Sequence, residues 1–132
     1  MLRYMLDTNI CVAVTRNPEH PTLQRLDRHE GEICISTVTL HELFHGAERS
    51  QRPEYQRGEV RKFAAGLAVL DFDTKASEHS GHVHSALAKV GQIIGAYDML
   101  IAGHARSLGL IVVTNNLKEF TRVEGLRCED WL

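Results

Sequence analysis

An α/β fold, a parallel sheet flanked by helices, is what the sequence predicts, and two observations carry that expectation. Four short apolar runs read as buried strands, Tyr4 to Leu6, Ile33 to Ile35, Ala68 to Leu70 and Leu110 to Val113, because brief apolar stretches bounded by polar residues suit the core of a sheet covered on both faces. Longer segments between them carry apolar residues at helical spacing: Thr22 to His29, Thr39 to Ser50, Glu54 to Gly66, Lys75 to Val90 and Asp98 to Leu108. Alternation of strand and helix implies parallel pairing, since each return to the sheet needs a crossover. Gly91 to Ala96 is the most flexible-looking connection.

Length and composition bound the rest. The 132 residues suit one domain, residues 1–132, with 43% hydrophobic and 24% charged residues, and no repeat or low-complexity stretch interrupts them. No apolar stretch approaches the roughly 20 residues that cross a bilayer, and the opening Met1 to Asp7 lacks a signal-peptide core; a cytoplasmic location and no membrane partner are expected. Cys11, Cys34 and Cys128 are widely spaced and form no Cys-x-x-Cys pair, so they are expected to be reduced core residues. The net charge of -2 excludes a strongly basic nucleic-acid binder. The best local basic run, Arg49, Arg52, Arg57, Arg61 and Lys62, is interleaved with Glu48, Glu54 and Glu59, the pattern of a solvated helix face.

In open parallel sheets ligands bind beyond the carboxyl ends of the strands, where loops and helix N-termini gather. At those ends the sequence places Asp7-Thr8-Asn9, Ser36-Thr37, Asp71 with Asp73, and Thr114-Asn115-Asn116. Each nearby acid has an ordinary local role. Asp7 suits a helix N-cap; Thr39 and Glu42 have capping-box spacing, with Val38 and Leu43 placed as a staple; Asp98 opens a helix whose dipole favours negative charge. Collectively the pattern says more. Asp7, Glu42 and Asp98 at one sheet edge, joined by Thr8, Thr114, Asn116 and Glu119, form a repulsive cluster that protons or a hard cation must neutralise. Oxygen-only ligands suit Mg²⁺ or Mn²⁺, and such a site suits phosphodiester hydrolysis by an activated water.

Leu6-Asp7-Thr8-Asn9, Ser36 to Glu42 with Leu43 and Gly46, Asp98-Met99-Leu100-Ile101-Ala102 with Ala105, and Thr114 to Phe120 together resemble PIN-domain proteins, and Gly125 to Trp131 resembles the tail of the VapC-type toxins among them. The resemblance implies an α/β/α sandwich of four to five parallel strands and a Mg²⁺-dependent endoribonuclease, with Mn²⁺ able to substitute. It implies metal binding by Asp7, Glu42 and Asp98, assistance from Asn116 and Glu119, and substrate contacts from Thr8, Asn9, Thr114 and Asn115. Many relatives carry Asp where Asn116 stands, so a second ion is expected to be held weakly, through the Asn116 carbonyl and Glu119. The implied partners are a structured RNA, with initiator tRNA a candidate, a VapB-like antitoxin that occludes the site, and a second copy in a homodimer; operator DNA is reached only through the antitoxin.

Other readings remain open at this stage. His41-Glu42-Leu43-Phe44-His45 is a literal H-E-x-x-H, the pattern of a zinc hydrolase, yet no third ligand follows cleanly and Glu48 stands where an extended metzincin pattern wants Gly. His79, His82 and His84 read as helix surface. A phosphoryl-accepting receiver lacks its paired acids and its strand-end Lys. A catalytically silent RNA-binding PIN domain is the remaining alternative.

Overall fold

The computed structural model describes residues 1–132. In chain order the elements are β1 (Tyr4–Leu6), α1 (Thr8–Arg16), α2 (Thr22–Arg28), β2 (Ile33–Ser36), α3 (Thr37–Glu48), α4 (Pro53–Ala65), β3 (Ala68–Leu70), α5 (Thr74–Lys89), α6 (Ala96–Leu108), β4 (Ile111–Val113), α7 (Leu117–Phe120) and β5 (Arg127–Glu129). The five strands form one sheet in the order β3-β2-β1-β4-β5, every neighbouring pair parallel. Strand order reverses at β1: the chain first winds outward through β2 and β3, then crosses back to β4 and β5. The switch point therefore falls between the carboxyl ends of β1 and β4, where an open sheet parts its loops into a crevice.

Alternating strand residues divide two cores, because successive side chains point to opposite faces. Met5, Cys34 and Val112 face one cluster with Val83, Leu87, Ile101, Ala105 and Phe120, drawn from α5, α6 and α7. Tyr4, Leu6, Ile33, Ile35, Ile111 and Val113 face the other, with Ile10, Cys11, Leu43 and Trp131, against which Leu26, Val60 and Phe63 pack. Helices thus cover both faces, giving the expected α/β/α sandwich. On the first face α5 and α6 approach so closely at Gly103 that a Cβ there would lie 2.5 Å from the Ser80 backbone; α6 ends in the left-handed Gly109, φ 67°.

All five amphipathic segments are helices, with ends shifted by one or two residues, and the structure adds three elements. The helix α1 lies outside those segments, and α7 is a single turn. The strand β5, Arg-Cys-Glu, has no apolar run; it pairs with β4 with Val112 opposite Cys128 and is followed by buried Trp131, whose carbonyl accepts from Thr22 Oγ1 at 3.1 Å. One local expectation is overturned. Helix α3 starts at Thr37, capped by Ser36, whose Oγ accepts from Val38 N–H at 3.0 Å, so Thr39 and Glu42 lie inside the helix and form no capping box. Ser36 also shares a 2.8 Å hydrogen bond with buried His104 Nδ1, which fixes the start of α3 against α6. The three cysteines are free, and no helix is long and apolar enough to cross a membrane.

Candidate active site

Asp7 leaves the central strand at the switch point and is 1% exposed. Its Oδ1 accepts from Ile10 N–H at 2.9 Å, capping α1, while Oδ2 accepts from Thr114 Oγ1 at 2.5 Å. Thr114 leaves β4 on the other side of the crevice, and its hydroxyl also accepts from Asn116 N–H at 2.8 Å. Burial pushes the Asp7 carboxyl above the usual carboxylate range; the bonds from Thr114 and Ile10 oppose that, and Glu42 and Asp130 add to it. Glu42 reaches into the same region from α3, its Oε1 accepting from Thr8 Oγ1 at 2.5 Å. Thr8 also lies 3.3 Å from Oγ1 of fully buried Thr39, so the hydroxyls of α1 and α3 hold Glu42 in place.

Across the crevice, Asp98 sits in the first turn of α6. Burial raises its carboxyl to about 7, helped by a hydrogen bond with Glu119 and by the charges of Glu119, Asp7 and Glu42. Burial acts on Glu119 too, but hydrogen bonds from Asn116, Gly95 N–H and Asp98, with the charge of Arg122, outweigh it and leave its carboxyl below the usual range. Asp98 is thus the member of the pair that carries a proton, donated to ionised Glu119. The Asn116 amide nitrogen lies 3.5 Å from Asp98 Oδ2 and bonds Glu119 Oε2. Its nitrogen, rather than the carbonyl expected from the sequence, faces the acids, because ionised Glu119 takes a donor. Gly95 N–H donates to Glu119 Oε1 at 3.1 Å, and Arg122 reaches the carbonyls of Gln92 and Ile93 at 3.4 and 3.3 Å. The segment expected to be flexible is therefore fastened to α7.

The structure brings Asp7, Thr8, Glu42, Asp98, Thr114, Asn116 and Glu119 to one edge, close enough that the acids perturb one another. It stops short of a closed ligand cage: no three His, Cys, Asp or Glu side chains converge at metal-binding distance, each acid being turned onto a neighbouring donor. Asn9 and Asn115 are exposed at the rim. Thr39, Gly95 and Arg122 are the contributors that sequence inspection missed; Thr39 was visible only as a cap, and an Arg that reaches main-chain carbonyls leaves no local pattern. The H-E-x-x-H histidines lie exposed on α3 with rings 6.4 Å apart, without a third ligand. The basic run is largely engaged: Arg57 binds Glu48 at 2.5 Å, Lys62 pairs with Glu59 at 3.5 Å, and Arg52 and Arg61 lie over Tyr55 and Phe44. His79 and His82 are likewise occupied, both accepting Arg106.

Fold and crevice together define an open α/β protein with an acidic, oxygen-lined edge at its switch point. Residues 4–126 match the PIN domain model, and the chain belongs to the PIN-domain family, among its VapC ribonucleases. It is 49% identical over 131 residues to the tRNA(fMet)-specific endonuclease VapC of Shigella flexneri, covering 99% of each chain. Its structure is similar to the DNA-bound VapBC of Salmonella typhimurium, with a TM-score of 0.97 at 47% identity and full coverage of both chains. It is also similar to VapBC2 of Rickettsia felis bound to a DNA fragment from their promoter, with a TM-score of 0.94 at 34% identity, covering 99% of this chain and 100% of that one.

Proposed function

We propose that this chain is the toxin of a toxin–antitoxin pair, an endoribonuclease that hydrolyses a phosphodiester of initiator tRNA with Mg²⁺ or Mn²⁺. The observation that carries this is the gathering of Asp7, Glu42 and Asp98 at one switch point, where burial, then Glu119, and then the charges of Asp7 and Glu42 raise the Asp98 carboxyl to about 7. A hard divalent cation relieves that repulsion as no apolar or anionic ligand could. The oxygen-only donors fit Mg²⁺ or Mn²⁺ and not zinc. The substrate is carried across from a relative's name: a tRNA(fMet)-specific endonuclease is 49% identical to this chain over 131 residues.

In this reading Asp7, Glu42 and Asp98 hold the ion, with Glu119 beside Asp98. A bound cation supplies Lewis acidity and a water acidic enough to attack phosphorus near neutral pH. Thr114 and Thr8 fix the carboxylates of Asp7 and Glu42 in single orientations, so that little reorganisation is left to the reaction. The Asp98–Glu119 pair keeps a proton at Asp98 in the free protein and is the acceptor best placed to exchange one. Attack by water rather than by the ribose 2′-hydroxyl leaves a 5′-phosphate and a 3′-hydroxyl. Asn9 and Asn115, exposed on the rim, contact the RNA; Thr114, expected from the sequence to join them, is 0% exposed and its hydroxyl is spent on Asp7 and Asn116, and the Thr8 hydroxyl is spent on Glu42, so both act through the carboxylates and not on the RNA. The protein works as a homodimer, and a VapB-like antitoxin covers the crevice, linking the toxin to operator DNA; an antitoxin Arg entering the acids would make charge-assisted bonds there.

The test is cleavage of total tRNA by the purified chain. Cutting should be lost in EDTA, restored by Mg²⁺ or Mn²⁺ and not by Zn²⁺, and absent from Asp7→Asn. Restoration by Zn²⁺ alone would return the H-E-x-x-H alternative; RNA binding without cutting under every metal would mark a silent domain.

A further inference from the structure

Each of two site acids is preceded in sequence by an aromatic ring: His41 before Glu42 and Tyr97 before Asp98. These rings meet across the helices that carry them. His41 Nε2 and the Tyr97 hydroxyl share a hydrogen bond of 3.2 Å, with ring centroids 5.5 Å apart. His45, one turn along α3, lies near-parallel to His41, 22° between planes. All three are exposed, Tyr97 at 44%, and none belongs to either hydrophobic core. Phe44, between the histidines, is by contrast half-buried under Arg61.

We infer that His41, His45 and Tyr97 form a stacking platform for an unpaired nucleobase next to the phosphodiester that is cut. Neighbouring positions on a helix are turned by about 100°, so the rings stand beside the acid crevice and not inside it. Rings left in water on the same two helices as Glu42 and Asp98 have a fixed orientation to the acids, and the His41–Tyr97 hydrogen bond ties them together before RNA arrives. Stacking on aromatic faces recognises splayed, single-stranded bases and tolerates any base identity. The platform therefore selects a loop or single-stranded segment of the RNA over a continuous duplex. This rests on the proposal that the acids form a ribonuclease site, and it gives the histidines of the H-E-x-x-H segment a role that needs no zinc.

The probe is a short single-stranded RNA carrying 2-aminopurine at each position in turn, mixed with the Asp98→Asn protein so that the RNA stays intact. At one or two positions the fluorescence should be quenched on binding. Tyr97→Ala and His41→Ala, added to that background, should abolish this quench and raise Kd roughly 10-fold, with the salt dependence of Kd unchanged because no phosphate contact is lost. Tyr97→Phe and His41→Phe should stay within about 2-fold of the parent and His41→Leu should behave like the alanine variant, since a π face and not apolar bulk is required. The exposed rings predict unaltered thermal unfolding in every variant, which separates stacking from misfolding. Absence of RNA binding, alanine variants that quench and bind like the parent, or leucine as effective as phenylalanine would overturn the platform. Wild-type protein that quenches the probe but cuts no RNA with Mg²⁺ or Mn²⁺ would instead overturn the ribonuclease proposal and leave the platform standing.

Discussion

The two walls of the crevice solve the same electrostatic problem differently. On the β1 wall, Asp7 is almost wholly buried, yet both its oxygens have donors, Ile10 N–H and the Thr114 hydroxyl, and Glu42 is steadied by Thr8. On the α6 wall, Asp98 is only half-buried, but it faces another acid across one amide and is pushed up to about 7. The supply of donors, more than depth alone, decides how uncomfortable a carboxylate is. The β1 wall is preorganised; the α6 wall is the one that needs a counter-charge.

The largest effect expected is on cutting. Asp98→Asn removes a carboxylate that a bound cation would draw into its ionised form, and metal-dependent tRNA cleavage should fall by about 10²–10⁴-fold, followed by gel assay. Because Asn needs no proton to be neutral where burial already disfavours a charge and can still donate to Glu119, the thermal unfolding temperature without metal should not fall; a large loss of stability would mean that Asp98 serves structure instead. Thr114→Val strikes the other wall. Leaving a buried carboxylate oxygen without its donor should cost about 1–3 kcal/mol in urea unfolding, whereas Asn115→Ala, at an exposed neighbour, should leave stability nearly unchanged. Asn116→Asp replaces the amide beside Asp98 and Glu119 by a further carboxylate; the Mg²⁺ concentration giving half-maximal activity should drop by roughly 3–10-fold, while the metal-free protein becomes less stable. The smallest effect concerns pH. Asp98 ordinarily titrates near 3.8 and in the fold near 7, so the folded state binds a proton that the unfolded chain has released; stability falls as pH rises through that window and levels off above it. Added Mg²⁺ should therefore raise the unfolding temperature by about 2–4 °C more at pH 8 than at pH 5; an equal shift at both would place the ion elsewhere.

Much of this was legible before any coordinates, for physical reasons that differ by element. Tyr4 to Leu6 and Ile33 to Ile35 announce themselves because strands covered on both faces must be apolar throughout. Asp7 and Thr114 stand out because strand ends in parallel sheets point to one edge. By contrast, β5 was hidden: Arg127 and Glu129 are partly exposed at the sheet margin, and only pairing with β4 makes Arg-Cys-Glu a strand. The capping-box reading of Thr39 and Glu42 failed because Ser36, held by His104 from a helix 68 positions later, starts α3 earlier, a long-range contact that no local spacing encodes. The role of Asn116 inverted for a similar reason, since which end of an amide faces inward depends on the charge opposite it.

The bond between Asp7 and Thr114 spans 107 positions. During synthesis the first of these residues leaves the ribosome long before the second exists, and β4, which flanks β1, comes nearly last. The Asp7–Thr114 side of the crevice cannot form on a nascent chain that lacks this segment, so the site is completed only when almost the whole chain has been made.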